Sequence, residues 1–141
     1  MLRFTFGIQK DHVIPVPNTI DFNGMTWPPQ LSGGVEDLYH NMRLEGKYLE
    51  GVGRDEEASF LTHTGPTAGI DRTFLVELPI NVVIDESEAD LIVEMNVNKW
   101  FQNPNLYDFS TIVPPQIMGN AGLQEQLLQN GSDVFTIAVD A

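Results

Sequence analysis

The chain has 141 residues, enough for one hydrophobic core and too few for two ordinary domains, so a single domain over 1–141 is predicted. Its 20 acidic and 7 basic residues give a formal net charge of −13, which disfavours nucleic acid and anionic membranes as partners, and no apolar run approaches the length of a bilayer span. The absence of cysteine excludes disulfides and thiolate metal sites and leaves His, Met, carboxylates and backbone oxygens as metal ligands.

The N-terminal residues predict a half-buried strand, because Leu2, Phe4 and Phe6 alternate with polar neighbours. The strand begins at once, with no basic segment followed by an apolar one as in an export signal. Either the protein is cytoplasmic or an upstream segment is missing, and we favour the second interpretation, in which the chain is part of a longer protein.

A long loop is predicted from residue 11 to residue 36, which contains four prolines and three glycines. It carries His12, Met25 and Trp27. Loops of this length in compact domains are functional or disordered, and Met25 and Trp27 favour a functional loop.

Alternation returns from residue 38 to residue 49 and predicts a strand. Its core face would carry Leu38, His40, Met42, Leu44 and Tyr48. A turn over 51–55 leads to a further strand over 58–64, in which His63 lies just before the Gly65-Pro66 stop.

Two β-rich runs over 73–84 and 91–98 are predicted to form a hairpin with an acidic tip at 85–90. The tip has carboxylates that suit calcium but lacks the residue order of a calcium loop. We interpret it as a solvated turn.

The segment 100–109 is rich in aromatic residues and is predicted to be irregular because of Pro104. The rings of Trp100, Phe101, Tyr107 and Phe109 are expected to cap the open end of the core, and stacking on sugar rings is the alternative.

One short helix is predicted over 121–129, with Asn120 as its N-cap and Leu123 and Leu127 on its buried side. Gly131 is predicted to be the C′ residue. A closing strand follows over 133–139.

Five to seven strands with a single helix favour an all-β fold, an antiparallel β-sandwich that is immunoglobulin-like or a partly open barrel, with one short C-terminal helix. No nucleophile elbow, phosphate-binding loop, dinucleotide fingerprint or zinc-protease motif is present in the sequence. Paired carboxylates of the glycosidase kind occur by chance in so acidic a chain. We therefore predict a protein that is not an enzyme.

The histidines are the candidate metal ligands. His40 and Met42 are two residues apart on a predicted strand, so they share a face and present an imidazole and a thioether to one soft ion such as Cu(I). A core histidine that only makes hydrogen bonds, with a methionine that only fills space, is the alternative interpretation.

Several short blocks, taken in order, carry a family resemblance. They are FTFGI at 4–8, NGMTW at 23–27, YHNMRLEG at 39–46, FLTHTG at 60–65, VEMNVNKWFQNP at 93–104 and NGSDVF at 130–135. Together they resemble the MbnP-like family of methanobactin-associated copper-binding proteins, in particular its members from Bacteroidota-type bacteria.

The resemblance implies a β-sandwich protein exported to the periplasm or cell surface, commonly as a lipoprotein, with copper bound through histidines. In some members a dihaem peroxidase-like partner oxidises a tryptophan to kynurenine. His63 matches the family's His-x-Gly block, Trp27 matches its Met-x-Trp block, and His40 lies in the strand before Leu-Glu-Gly. The chain departs from the fuller tryptophan pattern, since Thr26 replaces an aromatic residue and two prolines follow Trp27.

Family members also carry an N-terminal stretch that this sequence lacks, so the first strand is expected at an open sheet edge. The resulting hypothesis is a non-enzymatic copper-binding protein in which His63 and His40 are ligands and Met42, Met25 or Trp27 completes or shields the site. The alternative is a metal-free cell-surface module that binds a glycan or a protein through its aromatic loops.

Overall fold

A computed structural model of the protein describes residues 1–8, 25–35, 38–81, 90–112 and 117–140. In chain order its elements are β1 (Leu2–Phe6), α1 (Pro29–Ser32), β2 (Met42–Glu50), β3 (Glu56–Thr64), β4 (Phe74–Leu78), β5 (Asp90–Met95), two 3₁₀ turns (Val97–Phe101 and Phe109–Thr111), α2 (Ala121–Gly131) and β6 (Phe135–Asp140). These strands pair antiparallel as three two-stranded sheets, β1 with β4, β2 with β3 and β5 with β6. The mainly β prediction is confirmed, and the sandwich stays a prediction.

The period-two patterns mark real strands. β1 alternates between half-buried and exposed residues as predicted, and β3 and β6 lie where strands were expected. β2 begins at Met42, so Leu38 and His40 precede it. Within the described part of the chain, neither helix has the length and hydropathy of a membrane span.

Part of the predicted loop lies beside the start of β2. The backbone N–H of Trp27 donates to the Leu38 carbonyl and that of His40 donates to the Met25 carbonyl, each with an N···O distance of 2.7 Å. These bonds bring Trp27 alongside His40 although 13 positions separate them in sequence. The rest of the loop prediction, over 11–24 and residue 36, lies outside the described residues, as does His12.

The hairpin predicted between the fourth and fifth strands is wrong. β4 pairs with β1 and β5 pairs with β6. In the first pair the register places Leu2 opposite Leu78 and Phe4 opposite Val76, so inward side chains meet inward side chains. Residues 85–89 of the predicted tip lie outside the described residues, and Asp90 is the first residue of β5.

Two aromatic clusters connect the three two-stranded sheets, which are called ribbons below. In the first, Trp100 lies 5.3 Å from Phe6 and 5.9 Å from Phe74 between ring centroids. In the second, Phe109 lies 4.7 Å from Phe60 of β3, and Tyr107, Ile117 and Leu127 form the buried centre. Because isolated two-stranded ribbons are marginally stable, these clusters supply the burial that the ribbons need. Trp100 and Tyr107 of the aromatic segment are buried in these clusters, and the capping of an open end of the core stays a prediction.

The buried face of α2 is partly polar. Gln124 and Asn130 have no exposed surface, and Leu127 lies between them on the same face. The Asn130 amide donates to the carbonyls of Trp100 and Asn105, both over 2.8 Å, so it satisfies the irregular chain that leads to the second cluster. Asn120 caps the helix as predicted, since its side chain accepts from the Leu123 N–H.

Gly131 is not the C′ residue that the sequence predicted. It is the last residue of α2, and Ser132 is the C-cap. A Cβ at this position would lie 2.5 Å from Phe74 Cζ and 2.8 Å from Trp100 Cζ3. The glycine is therefore required by the close approach of two rings to the helix backbone.

We expect Gly131→Ala to destabilise the protein by about 1–3 kcal/mol, because the added methyl group overpacks the first aromatic cluster. Gly122→Ala on the same helix is the matched control, since among the described residues a Cβ there meets only Asn120 Oδ1, at 3.4 Å. The control should stabilise the protein by up to about 1 kcal/mol. Urea unfolding of both variants measures the difference, and equal free energies would contradict the packing argument.

Candidate metal centre

Three of the predicted site residues meet at the start of β2 and the end of β3. His40 is 6 % exposed, His63 is 8 % exposed and Trp27 is fully buried. The two imidazole centroids are 5.0 Å apart, and the Trp27 ring lies 4.9 Å from that of His40. The sequence placed His40 and His63 on separate strands, and the antiparallel pairing of β2 with β3 brings them together.

The His40 ring is fixed through one nitrogen. Its Nδ1 lies 3.0 Å from the Met25 carbonyl oxygen, which can only accept, so Nδ1 carries the proton. Its Nε2 is buried and has no hydrogen-bond partner among the described residues. Burial, with a smaller contribution from nearby His63 and Arg43, holds the pKa of His40 below its usual value of 6.5, although the bond to Met25 opposes this shift. The ring is therefore favoured in its neutral form, with a lone pair on Nε2.

The His63 ring is fixed through its other nitrogen. Its Nε2 lies 2.6 Å from Oε1 of Glu45. Hydrogen bonds from Arg43 first, and then from His63, hold the pKa of Glu45 below its usual value, so this carboxylate is ionised and accepts. Nε2 of His63 therefore donates, and in the neutral ring Nδ1 carries the lone pair.

Trp27 forms the inner wall of the site. Its indole makes a T-shaped contact with the His40 ring and packs closely against Gly65, where any Cβ would collide with its six-membered ring. The indole Nε1 is buried without a hydrogen-bond partner in the described chain. Trp27 excludes water from this side of the imidazoles.

The two methionines named from the sequence lie differently. Met42 is buried with Trp100 and Val134 in the first aromatic cluster. The strand face that it was predicted to share with His40 therefore places its side chain in the core and not beside a histidine. Met25 contributes its carbonyl oxygen, which accepts from both the backbone N–H and the ring of His40.

Three residues that the sequence interpretation missed support the site. Glu45 holds His63, the Met118 sulfur lies 3.3 Å from His63 Nδ1, and the buried amide of Gln124 donates to the His63 carbonyl over 2.9 Å. The sequence could have indicated Glu45, because it lies on β2 two residues from Arg43, the residue directly opposite His63 on β3. Gln124 on the leucine face of a helix was also a signal, whereas no local pattern indicates Met118.

The arrangement offers nitrogen donors to a cation. A metal-ligating histidine usually donates its second ring nitrogen to a carbonyl or carboxylate, and both histidines do so here. Across the ranges that the structure covers, no group of three or more His, Asp or Glu side chains is placed to hold an ion. The site therefore has two imidazoles, and a further donor would be of another kind.

Comparison with family models, with curated proteins and with solved structures finds no match for this chain.

The lowered pKa of His40 predicts a pH-dependent stability. Between the pKa of His40 in the folded protein and 6.5, the unfolded chain binds more protons than the folded one. The free energy of unfolding therefore rises with pH in this range and falls on acidification. One such group contributes a slope of at most about 1.4 kcal/mol per pH unit. Urea unfolding of chelator-treated protein between about pH 5 and pH 8 should show this slope.

His40→Gln is the comparison that isolates this contribution. This variant should show a smaller increase of the unfolding free energy with pH near neutral pH. It should still lose stability below about pH 4.5, because that loss follows from the lowered pKa of Glu45. An unchanged slope in His40→Gln would show that His40 titrates alike in the folded and unfolded states.

Proposed function

We propose that the protein is a non-enzymatic, exported copper-binding protein that holds one ion at His40 and His63. The observation that supports this best is the contact of two buried imidazoles, each with one nitrogen bonded to an oxygen acceptor. Over the described ranges, the second nitrogen is unpartnered in His40 and lies 3.3 Å from the Met118 sulfur in His63. An unpartnered buried nitrogen such as His40 Nε2 costs free energy unless something binds it. A metal ion supplies that partner.

The choice of copper rests on the donors and on the sequence resemblance. Neutral imidazole suits copper, zinc, iron and nickel, while hard cations such as calcium and magnesium prefer oxygen. A chain without cysteine cannot form a thiolate cage. The resemblance to MbnP-like proteins selects copper from the remaining metals.

The surrounding residues would orient the ligands and exclude water. The Met25 carbonyl and the Glu45 carboxylate set the tautomers of the two rings. Trp27 would shield the ion from water on the His40 side. The formal net charge of −13 raises the local concentration of cations without selecting among them.

The cellular setting of the proposal comes from the resemblance alone. It comprises export to the periplasm or cell surface, anchoring as a lipoprotein, and a dihaem peroxidase-like partner that oxidises Trp27. A β-sandwich built from the three two-stranded sheets is proposed from the strand pattern as well as from the resemblance. Intact mass of protein from its native host, with peptide mapping over Trp27, would detect the oxidised ring.

We expect the protein to bind one equivalent of copper with His40 and His63 as ligands. His40→Ala and His63→Ala should each lower the affinity by at least about tenfold to a hundredfold, because loss of a direct ligand costs no less than loss of its outer partner. Titration of Cu(I) and Cu(II) against competing chromophoric chelators measures both affinities.

His12→Ala is the control for general binding to histidine and should leave stoichiometry and affinity unchanged. Circular dichroism of each variant establishes that the fold is retained. Unchanged copper affinity in both His40→Ala and His63→Ala would remove the proposed function.

A groove favours the alternative, a metal-free module for a glycan or protein. It has a volume of about 480 Å³ and lies between the turn after β2 and the aromatic segment. Its lining includes Tyr48, Arg54, Leu106, Asp108 and Phe109. Trp100 and Tyr107 are only 1 % and 3 % exposed, so few of the predicted rings are available for stacking on a sugar.

Metal-free protein from its native host that binds a glycan array, with binding lost in Tyr48→Ala, would favour the metal-free module over the copper site.

A further inference from the structure

We infer that the thioether of Met118 is the third donor of the copper site and gives it a preference for Cu(I). The inference rests on the proposed function and goes beyond it, since neither strand pattern nor resemblance includes Met118. Its Sδ lies 3.3 Å from Nδ1 of His63, on the opposite side of the ring from Glu45.

The protons of the site leave a position for a cation between these two atoms. Glu45 takes the N–H of His63 at Nε2, so Nδ1 of the neutral ring presents a lone pair to Met118. A thioether has no proton to donate and is itself only an acceptor. In the neutral ring the two facing atoms are both acceptors, and a cation between them stabilises the contact; in the imidazolium, Nδ1–H would donate to the sulfur instead.

The separation also fits an ion. Bonds of roughly 2.0 Å to an imidazole nitrogen and roughly 2.3 Å to sulfur can bridge two atoms 3.3 Å apart without moving either. Because no carboxylate or third histidine completes a cluster in the described residues, sulfur is the donor that the site can add.

Met118 is held in place by the same side chain that holds His63. The Gln124 amide donates to the His63 carbonyl over 2.9 Å and to the Ile117 carbonyl over 3.3 Å. Ile117 is fully buried in the second aromatic cluster, so the residue that follows it has a fixed backbone position. Met118 itself is partly buried, as a ligand at the edge of the site would be.

The other described methionines have different surroundings. Met42 is in the aromatic core, Met25 offers its carbonyl, Met95 is 47 % exposed on β5, and the Met1 sulfur accepts from Arg3. Met118 places its sulfur against a histidine nitrogen. A soft thioether stabilises Cu(I) more than Cu(II), so two imidazoles and one thioether favour the reduced ion.

Met118→Leu tests the inference, because leucine keeps the volume and removes the sulfur. Affinity for Cu(I) should fall by at least about tenfold, while affinity for Cu(II) should change much less. Met95→Leu is the matched control and should change neither. A spectroscopic readout is the methyl ¹³C signal of Met118 in methyl-labelled protein, which should shift on addition of Ag(I), a stable substitute for Cu(I), while that of Met95 does not.

The outcomes separate this inference from the proposed function. Equal Cu(I) affinities for wild type and Met118→Leu, with affinity still lost in His63→Ala, would overturn the thioether ligand and keep the histidine site. A wild-type protein that binds Cu(II) but not Cu(I), or whose Cu(I) binding is unaffected in His63→Ala alone, would overturn the thioether ligand. A protein that binds neither ion, or whose copper affinity is unchanged in both His40→Ala and His63→Ala, would overturn the proposed function as well. Loss of Cu(I) affinity in Met118→Leu together with the Ag(I)-dependent shift would support the inference.

Discussion

The buried amide of Gln124 is the contact on which the candidate centre depends. It donates to the carbonyls of His63 and Ile117 and accepts from the N–H of Gly65, and it has no exposed surface. The end of β3 and the segment before α2 are thus joined by a side chain in place of a strand ladder. Each buried backbone group left unsatisfied would cost roughly 1–3 kcal/mol, so this one amide fixes His63, the glycine beneath Trp27 and the approach to Met118 together.

The same helix repeats the device six residues later. Asn130 satisfies the carbonyls of Trp100 and Asn105, and its own oxygen accepts from the Asn105 N–H. A domain built from two-stranded ribbons has many backbone groups outside ladders, and they must find partners wherever they are buried. Here α2 supplies both apolar burial through Leu127 and hydrogen bonds through its amides, which is why a single helix suffices to organise irregular chain on both sides of it.

The local sequence pattern predicted which residues are buried, but not which strands pair or which residues surround the histidines. Alternation located β1, β2, β3 and β6, and the Asn120 cap located α2, because these signals depend on neighbouring residues alone. The pairing of β4 with β1 joins distant segments, and a rule that prefers sequence neighbours cannot find it. At the site, periodicity correctly buried both His40 and Met42 but assigned them to one ion, whereas the true neighbours of the histidines come from residues 25–27 and 117–124, which no single strand pattern contains.

The depth of Trp27 and His40 bears on how quickly an ion could be exchanged. With Trp27 fully enclosed and Gly65 against its ring, the inner wall has no room to yield. An ion seated there would leave by way of His63 and the partly buried Met118, and only when those side chains swing aside. Its residence time would then be set by the frequency of local opening and not by affinity alone. If the site holds copper as proposed, slow exchange would suit storage, or transfer to a specific partner, more than rapid equilibration with small chelators.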